Sequence, residues 1–202
     1  MEEARLFWAV NLPADVKLNL AALQARLQKK QADVKWVEQH NLHLTVKFLG
    51  QVSLDRTNEI VRAVESALAQ HGSIRLELAG TGFFPAGKQP RVIWVGVGGE
   101  LDKFRRLHRA VEKGLHDLGF PPENRGFSPH LTLGRVRSPQ GVGNLVRELE
   151  TLGREPAHFG RADVNTVELM ASTLTARGPI YSVLAKVHLT RALVPGAQVP
   201  GV

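Results

Sequence analysis

The chain has 202 residues, is 43% hydrophobic, and carries a net charge of +7 from 26 basic and 19 acidic residues. That length suits one large domain or two small lobes, with apolar content enough for a proper core. No apolar run approaches the ~18 residues of a membrane span, and Leu6 to Val10, behind Glu2 and Glu3, does not read as a signal peptide. The absence of cysteine removes disulfides, thiolate zinc sites and a cysteine nucleophile. A cytoplasmic protein with no membrane partner is expected. The basic balance favours phosphate-bearing partners; a merely solvated basic surface is the other reading.

Residues 4–11 alternate and are rich in bulky apolar side chains, which predicts a strand. Pro13 opens a helix to about Gln31, with Leu18, Leu20, Leu23 and Leu27 near helical spacing. Residues 34–37 read as a short strand and 42–49 as a longer one. Ser53 can cap a helix to about Gln70, whose apolar face holds Ile60, Val61, Val64 and Leu68. Residues 73–79 alternate as a strand, 80–90 are a loop rich in Gly and Pro, and 92–97 are a strand. Residues 101–118 form an amphipathic helix through Leu101, Phe104, Leu107, Val111 and Leu115. A loop over 119–129 leads to a strand at 130–136, a helix at 144–152, and strands near 162–171 and 181–190. The tail from Val194 carries two Pro and two Gly and is expected to fray.

One tetrapeptide pattern occurs twice: His43-Leu44-Thr45-Val46 and His130-Leu131-Thr132-Leu133. Alternation puts His and Thr of each copy on one face of a strand and the apolar residues on the other. Two copies brought together supply a general acid, a general base and two hydroxyl donors for charged oxygens. A single His-x-Thr is more often a half-buried histidine beside a β-favouring threonine. Two histidines without a nearby carboxylate are too few ligands for a typical catalytic zinc, so no metal is expected. The run from Gly82 to Lys88 fits a phosphate loop, except that Gln89 replaces the Ser/Thr and Pro90 blocks the following helix. Gly96-Val97-Gly98 and Gly141-Val142-Gly143 each lack the third glycine of a dinucleotide fingerprint. Lys47-Phe48-Leu49-Gly50 resembles the Lys-x-x-Gly of adenylylating ligases but lacks the usual Asp. Arg125, Arg135 and Arg137 cluster near the second motif, either steering phosphate or as solvated rim charge. A regular strand puts Arg135 on the face opposite His130.

These motifs resemble the two-histidine (2H) phosphoesterase superfamily. The stretches Leu6-Phe7-Trp8-Ala9-Val10-Asn11-Leu12-Pro13, His43 to Gly50, Arg91-Val92-Ile93-Trp94-Val95-Gly96 and Arg125 to Arg135 narrow the resemblance to its bacterial and archaeal branch. That branch is called 2'-5' RNA ligase, or RNA 2',3'-cyclic phosphodiesterase. Gly134 stands where many relatives carry Ala. The resemblance implies an α+β, bilobal, pseudo-twofold fold in which two antiparallel sheets face each other across a cleft, with helices outside. The whole chain, 1–202, is expected to form this one unit.

The implied substrate is a 2',3'-cyclic phosphate at an RNA or nucleotide end, tRNA-like ends included, opened to a 2'-phosphate. Joining RNA ends through a 2'-5' bond without ATP is the related reaction. One imidazole takes the proton of the attacking water and the other protonates the leaving oxygen, with no cofactor. The resemblance gives His43 the acid role and His130 the base role; the near-symmetric motifs do not decide it. Thr45 and Thr132 face the non-bridging oxygens, and Phe48, Arg125 and Arg135 are candidates to hold base and phosphate. A binding module for RNA ends without catalysis, and a cyclic phosphodiesterase acting on an ADP-ribose derivative, are the alternatives. No heptad or dimer element is evident, so a monomer is expected.

Overall fold

The computed structural model describes residues 2–85, 89–123, 126–154, 157–175 and 178–189. In chain order the elements are β1 (Glu3–Asn11), α1 (Ala14–Gln28), β2 (Val34–Trp36), β3 (His43–Ser53), α2 (Thr57–Leu68), β4 (Ile74–Phe84) and β5 (Val92–Gly99). There follow α3 (Leu101–His116), β6 (His130–Val136), α4 (Val142–Arg154), β7 (His158–Val164), β8 (Thr166–Thr175) and β9 (Gly178–His188). The strands form two sheets, ordered β3-β1-β8-β9 and β2-β6-β5-β4-β7. Every pairing is antiparallel. This is the expected α+β architecture of two antiparallel sheets. No helix among the described residues is long and apolar enough to cross a membrane.

Each lobe draws on both halves of the chain. β2, from the first half, pairs with β6 of the second motif. β8, from the second half, pairs with β1. The change of sheet explains one departure from the predicted elements. Residues 162–171 read as one strand because no Gly or Pro interrupts them. The chain instead stops at Asn165, leaving β7 in one sheet and starting β8 in the other.

Three further expectations are corrected. Residues 80–84 are not loop: Gly80, at φ +68°, sits at a register shift in β4, and the strand continues to Phe84. Ser53 caps nothing. It ends β3 with its hydroxyl buried and without a hydrogen-bond partner among the described residues, and a 3-10 turn over Leu54–Arg56 intervenes before α2. Leu18 is 59% exposed, so the buried stripe of α1 is Val16, Leu20, Leu23 and Leu27. The tail from Val194 lies outside the described residues.

One apolar cluster joins Leu44 and Val46 of β3, Leu131 and Leu133 of β6, and the inner faces of α2 and α3. The helices thus cover one face of the sheets, and the histidine-bearing faces are left for the cleft. A smaller cluster of Phe7, Ala9 and Met170, with Tyr181 against it, lies on the cleft face of the first sheet.

Both motif strands carry a bulge at the same place. In β3, Trp8 pairs with Lys47 but Ala9 with Thr45, leaving Val46 extra. In β6, Ile93 pairs with Gly134 but Trp94 with Thr132, leaving Leu133 extra. Two consecutive residues, Val46-Lys47 and Leu133-Gly134, are therefore buried in each strand. The first bulge turns Lys47 inward, where its side chain is 2% exposed. Its ammonium donates to Glu112 Oε1 (3.1 Å) on α3 and to the Pro121 carbonyl (2.8 Å). Glu112 also accepts the Glu123 amide (2.8 Å). Burial alone pushes the Glu112 carboxyl up, but the Glu123 amide, Lys47 and His108 outweigh it and hold it below the usual range.

Removing one partner of a buried pair costs about 3–5 kcal/mol, whereas replacing both with apolar residues is close to neutral. We expect Glu112→Ala to lower unfolding free energy in urea by about that amount, and Lys47→Met with Glu112→Leu to recover most of it. The stabilisation from the depressed Glu112 carboxyl is present above the ordinary Glu range and lost as pH falls through its folded value. The difference between wild type and Glu112→Ala should therefore narrow in acid.

Candidate active site

Each motif strand starts at its histidine, and β3 and β6 lie against each other. In both copies the ring is held in the same way. His43 Nδ1 donates to the carbonyl of Asn41 (2.6 Å), and His130 Nδ1 donates to the carbonyl of Ser128 (2.8 Å). A carbonyl can only accept, so Nδ1 carries a proton in both rings, and Nε2 is the nitrogen left for chemistry. An aromatic edge braces each ring: Tyr181 stands T-shaped to His43 at 5.3 Å, and Phe84 to His130 at 5.2 Å. His43 also leans on Phe7 at 5.0 Å.

The copies differ in their remaining contacts. The Thr45 hydroxyl lies 3.1 Å from His43 Nε2 and donates to it when the ring is neutral. Asn41, which holds His43, is itself buried, and its side-chain amide donates to the Pro179 carbonyl of β9 (2.9 Å). Burial lowers the His43 pKa; the Asn41 carbonyl opposes this, and the Lys17 charge adds to it. Lys17 is fixed by its bond to the His40 carbonyl (2.9 Å). Its own pKa is lowered by burial, with Glu168 opposing. Glu168 is a buried carboxylate on the cleft face, paired with Lys186 (2.9 Å).

Thr132 pairs with Trp94 across β5 and β6 and shares the His130 face. Arg135 does not lie on the opposite face. The bulge at Leu133 resets the alternation, so Arg135 pairs with Val92, two residues from Trp94, and returns to the cleft side. Its charge reaches Tyr181 of the other sheet, where it opposes the burial that raises the phenol pKa. Phe48 holds the corresponding place in β3. It pairs with Phe7, lies 6.0 Å from its ring, and is 61% exposed. Arg125 lies outside the described residues, as do Gly87 and Lys88 of the loop resembling a phosphate site.

Three residues of the cleft escaped the sequence reading. Lys17 and Tyr181 come to His43 from distant elements, and nothing in the local pattern marks them. Lys35 carried a signal. It alternates between Val34 and Trp36, so it points away from their side of the sheet. It pairs directly with Arg135, and neither has a carboxylate partner among the described residues. Like charges opposite each other in a sheet are unfavourable. Such a pair on the cleft face suits an anion.

The model of the 2'-5' RNA ligase superfamily matches residues 12–174. The chain belongs to that superfamily. It is 38% identical over 168 residues to an RNA 2',3'-cyclic phosphodiesterase of Aeropyrum pernix, an alignment covering 83% of this chain and 93% of that one. The crystal structure of TT0787 of Thermus thermophilus superposes with a TM-score of 0.75 at 30% identity, covering 92% of this chain and 97% of that one. E. coli LigT complexed with 3'-AMP superposes with a TM-score of 0.76 at 24% identity, covering 94% of this chain and all of that one, and so shares the fold.

Burial and Lys17 both favour the neutral His43 ring. We expect NMR titration to place His43 below the ordinary imidazole value of about 6.5, and Lys17→Met to move it upward. A bound phosphate anion should move it the same way, because it favours the charged form.

Proposed function

We propose that the chain hydrolyses 2',3'-cyclic phosphates at RNA or nucleotide ends to 2'-phosphates, with His43 and His130 as the acid–base pair. The observation that carries this is the repeated Nδ1–carbonyl bond. It presents two Nε2 atoms from two sheets with the same tautomer, as proton transfer at both ends of a displacement requires. The names of the relatives at 30–38% identity support the substrate class.

In the proposed step, the water oxygen bonds to phosphorus as the bond from phosphorus to the 3' oxygen breaks. His130 Nε2 takes the water proton, and His43, protonated at Nε2, gives its proton to the leaving oxygen. The products are a 2'-phosphate and a 3'-hydroxyl. Burial and the Lys17 charge favour the neutral His43 ring in the free protein, so its acid role relies on the substrate anion favouring the charged form. Thr45, bonded to Nε2 in the free protein, then turns with Thr132 to donate to the non-bridging oxygens. Arg135 and Lys35 attract the phosphate, and Phe48 offers an apolar wall beside His43. The 5'-hydroxyl of a second RNA end in place of water gives a 2'-5' bond without ATP. The chain works as one bilobal unit, as a monomer, in the cytoplasm. The two-imidazole step needs no metal.

We expect His43→Ala and His130→Ala each to lower kcat on adenosine 2',3'-cyclic phosphate at least a few hundredfold, within the ~10²–10⁴ of general acid–base catalysis. Wild-type turnover should be unchanged by a chelator. Near-normal turnover in either variant, or turnover only of an ADP-ribose cyclic phosphate, would sink this reading. On an oligonucleotide substrate, Lys35→Gln should reduce the slope of log kcat/KM against log salt by about one, the signature of one lost phosphate contact.

A further inference from the structure

Trp94 has no part in the proton transfers, yet it is the largest side chain on the cleft face of β5. Its cross-strand partners are Thr132 on one side and Gly82 on the other. The indole extends away from Thr132 and lies over Gly82, where a Cβ would stand 2.3 Å from Cζ2 and 2.5 Å from Cη2. Only glycine leaves room for a ring laid flat at that position. The same ring passes over Gly96, where a Cβ would be 3.7 Å from Cζ3. Phe84 abuts it at 5.1 Å and a tilt of 31°, and stands T-shaped to His130 at 5.2 Å.

The polar atom of this ring is not what places it. Trp94 Nε1 is buried and has no hydrogen-bond partner among the described residues. Leaving a buried N–H unpaired is costly, so the position is kept for the ring plane. The residue as a whole stays partly exposed. One face is on Gly82 of the sheet, and the ring lies on the cleft side of β5. Neighbouring strands are about 4.8 Å apart. A ring spanning β5 and β4 therefore starts about one strand spacing from Thr132 on β6. A base attached through a ribose to a phosphate at Thr132 falls at that range.

We propose that the outer face of Trp94 is the stacking platform for the nucleobase of the nucleotide whose cyclic phosphate is opened. This rests on the function proposed above and deepens it: the substrate is recognised by its base as well as its phosphate. Stacking is tolerant of sequence, because every base has a π face. The platform therefore selects nucleotides over other cyclic phosphates without choosing among bases.

The test compares kcat/KM for adenosine 2',3'-cyclic phosphate with that for the same ribose cyclic phosphate lacking a base. A base–aromatic stack is worth ~1–3 kcal/mol, or roughly 5- to 150-fold. In Trp94→Leu, which keeps apolar bulk but no π face, the preference for the base-bearing substrate should shrink by that factor. Trp94→Phe should keep most of it. A ratio unchanged in Trp94→Leu, or lost instead in Phe48→Leu, overturns the platform. Fluorescence gives a second readout independent of turnover. Adenosine 2'-phosphate should quench the wild-type emission, and Trp94→Phe should abolish the quench although Trp8 and Trp36 remain. If wild type opens neither cyclic phosphate, the proposed reaction fails, while the quench still decides whether Trp94 stacks a base. No quench in a protein that binds adenosine 2'-phosphate overturns the platform.

Discussion

The bulge that follows each His-x-Thr pair is the constraint on which the rest of the site depends. A regular strand would send every second residue to the cleft. The extra residue, Val46 in β3 and Leu133 in β6, puts two consecutive side chains on the core side and then resumes the alternation. The inward pair is Val46-Lys47 in one copy and Leu133-Gly134 in the other. The next residue, Phe48 or Arg135, is returned to the cleft. One backbone irregularity, used twice, thus delivers an exposed aromatic residue to one histidine and a cation to the other. Gly134 fits the inward position because a Cβ there would meet Val34 and Trp36, at 2.6 and 3.0 Å. The equivalent Lys47 is buried as well and reaches through the core to Glu112.

The two histidines are symmetric in their Nδ1 bonds and asymmetric in everything that surrounds Nε2. His43 sits under Tyr181, receives a bond from Thr45, and feels Lys17. His130 has one aromatic edge and its backbone bond. The sequence motif is nearly the same in both places, so apart from the Thr45 bond the difference comes from residues supplied by other elements: Lys17 from α1, Tyr181 from β9, Phe84 from β4. Environments that differ assign opposite proton-transfer roles to a pair of chemically identical groups. The tertiary structure supplies that difference.

The strands are largely legible because strand patterning is a local property: β3, β5 and β6 alternate over much of their length, and β1, buried on both faces from Leu6 to Val10, shows a run of bulky apolar residues. The paired histidines and threonines were legible for the same reason. What failed was whatever depended on an irregularity or on a distant partner. A bulge leaves no mark in composition, so the face of Arg135 follows from alternation only where the strand is regular, and β6 is not. The break at Asn165 is marked by no Gly or Pro, so residues 162–171 read as one strand. Gly80 and Gly82 looked like loop residues. In the fold, Gly80 bends a strand that continues and Gly82 makes room for an indole. Glycine marks a place where backbone or space is unusual, without saying which.

The two halves of the site are not independent of each other. Lys47, turned inward by the first bulge, holds the Pro121 carbonyl and the Glu112 carboxylate. Glu112 in turn holds the Glu123 amide, and His108, four residues before it on α3, stacks on Phe127 at 3.8 Å. Pro121, Glu123 and Phe127 belong to the segment that leads into Ser128, whose carbonyl fixes His130. The bulge of the first motif thus anchors the approach to the second. In the other direction, Asn41 joins the His43 ring to the Pro179 carbonyl of β9, a strand from the second half of the chain. Each histidine is oriented by a carbonyl whose own position depends on contacts from the opposite half of the sequence. The displacement proposed above needs both imidazoles in register with one phosphorus, and this cross-bracing ties the placement of the two rings to the packing of the whole fold rather than to either motif alone.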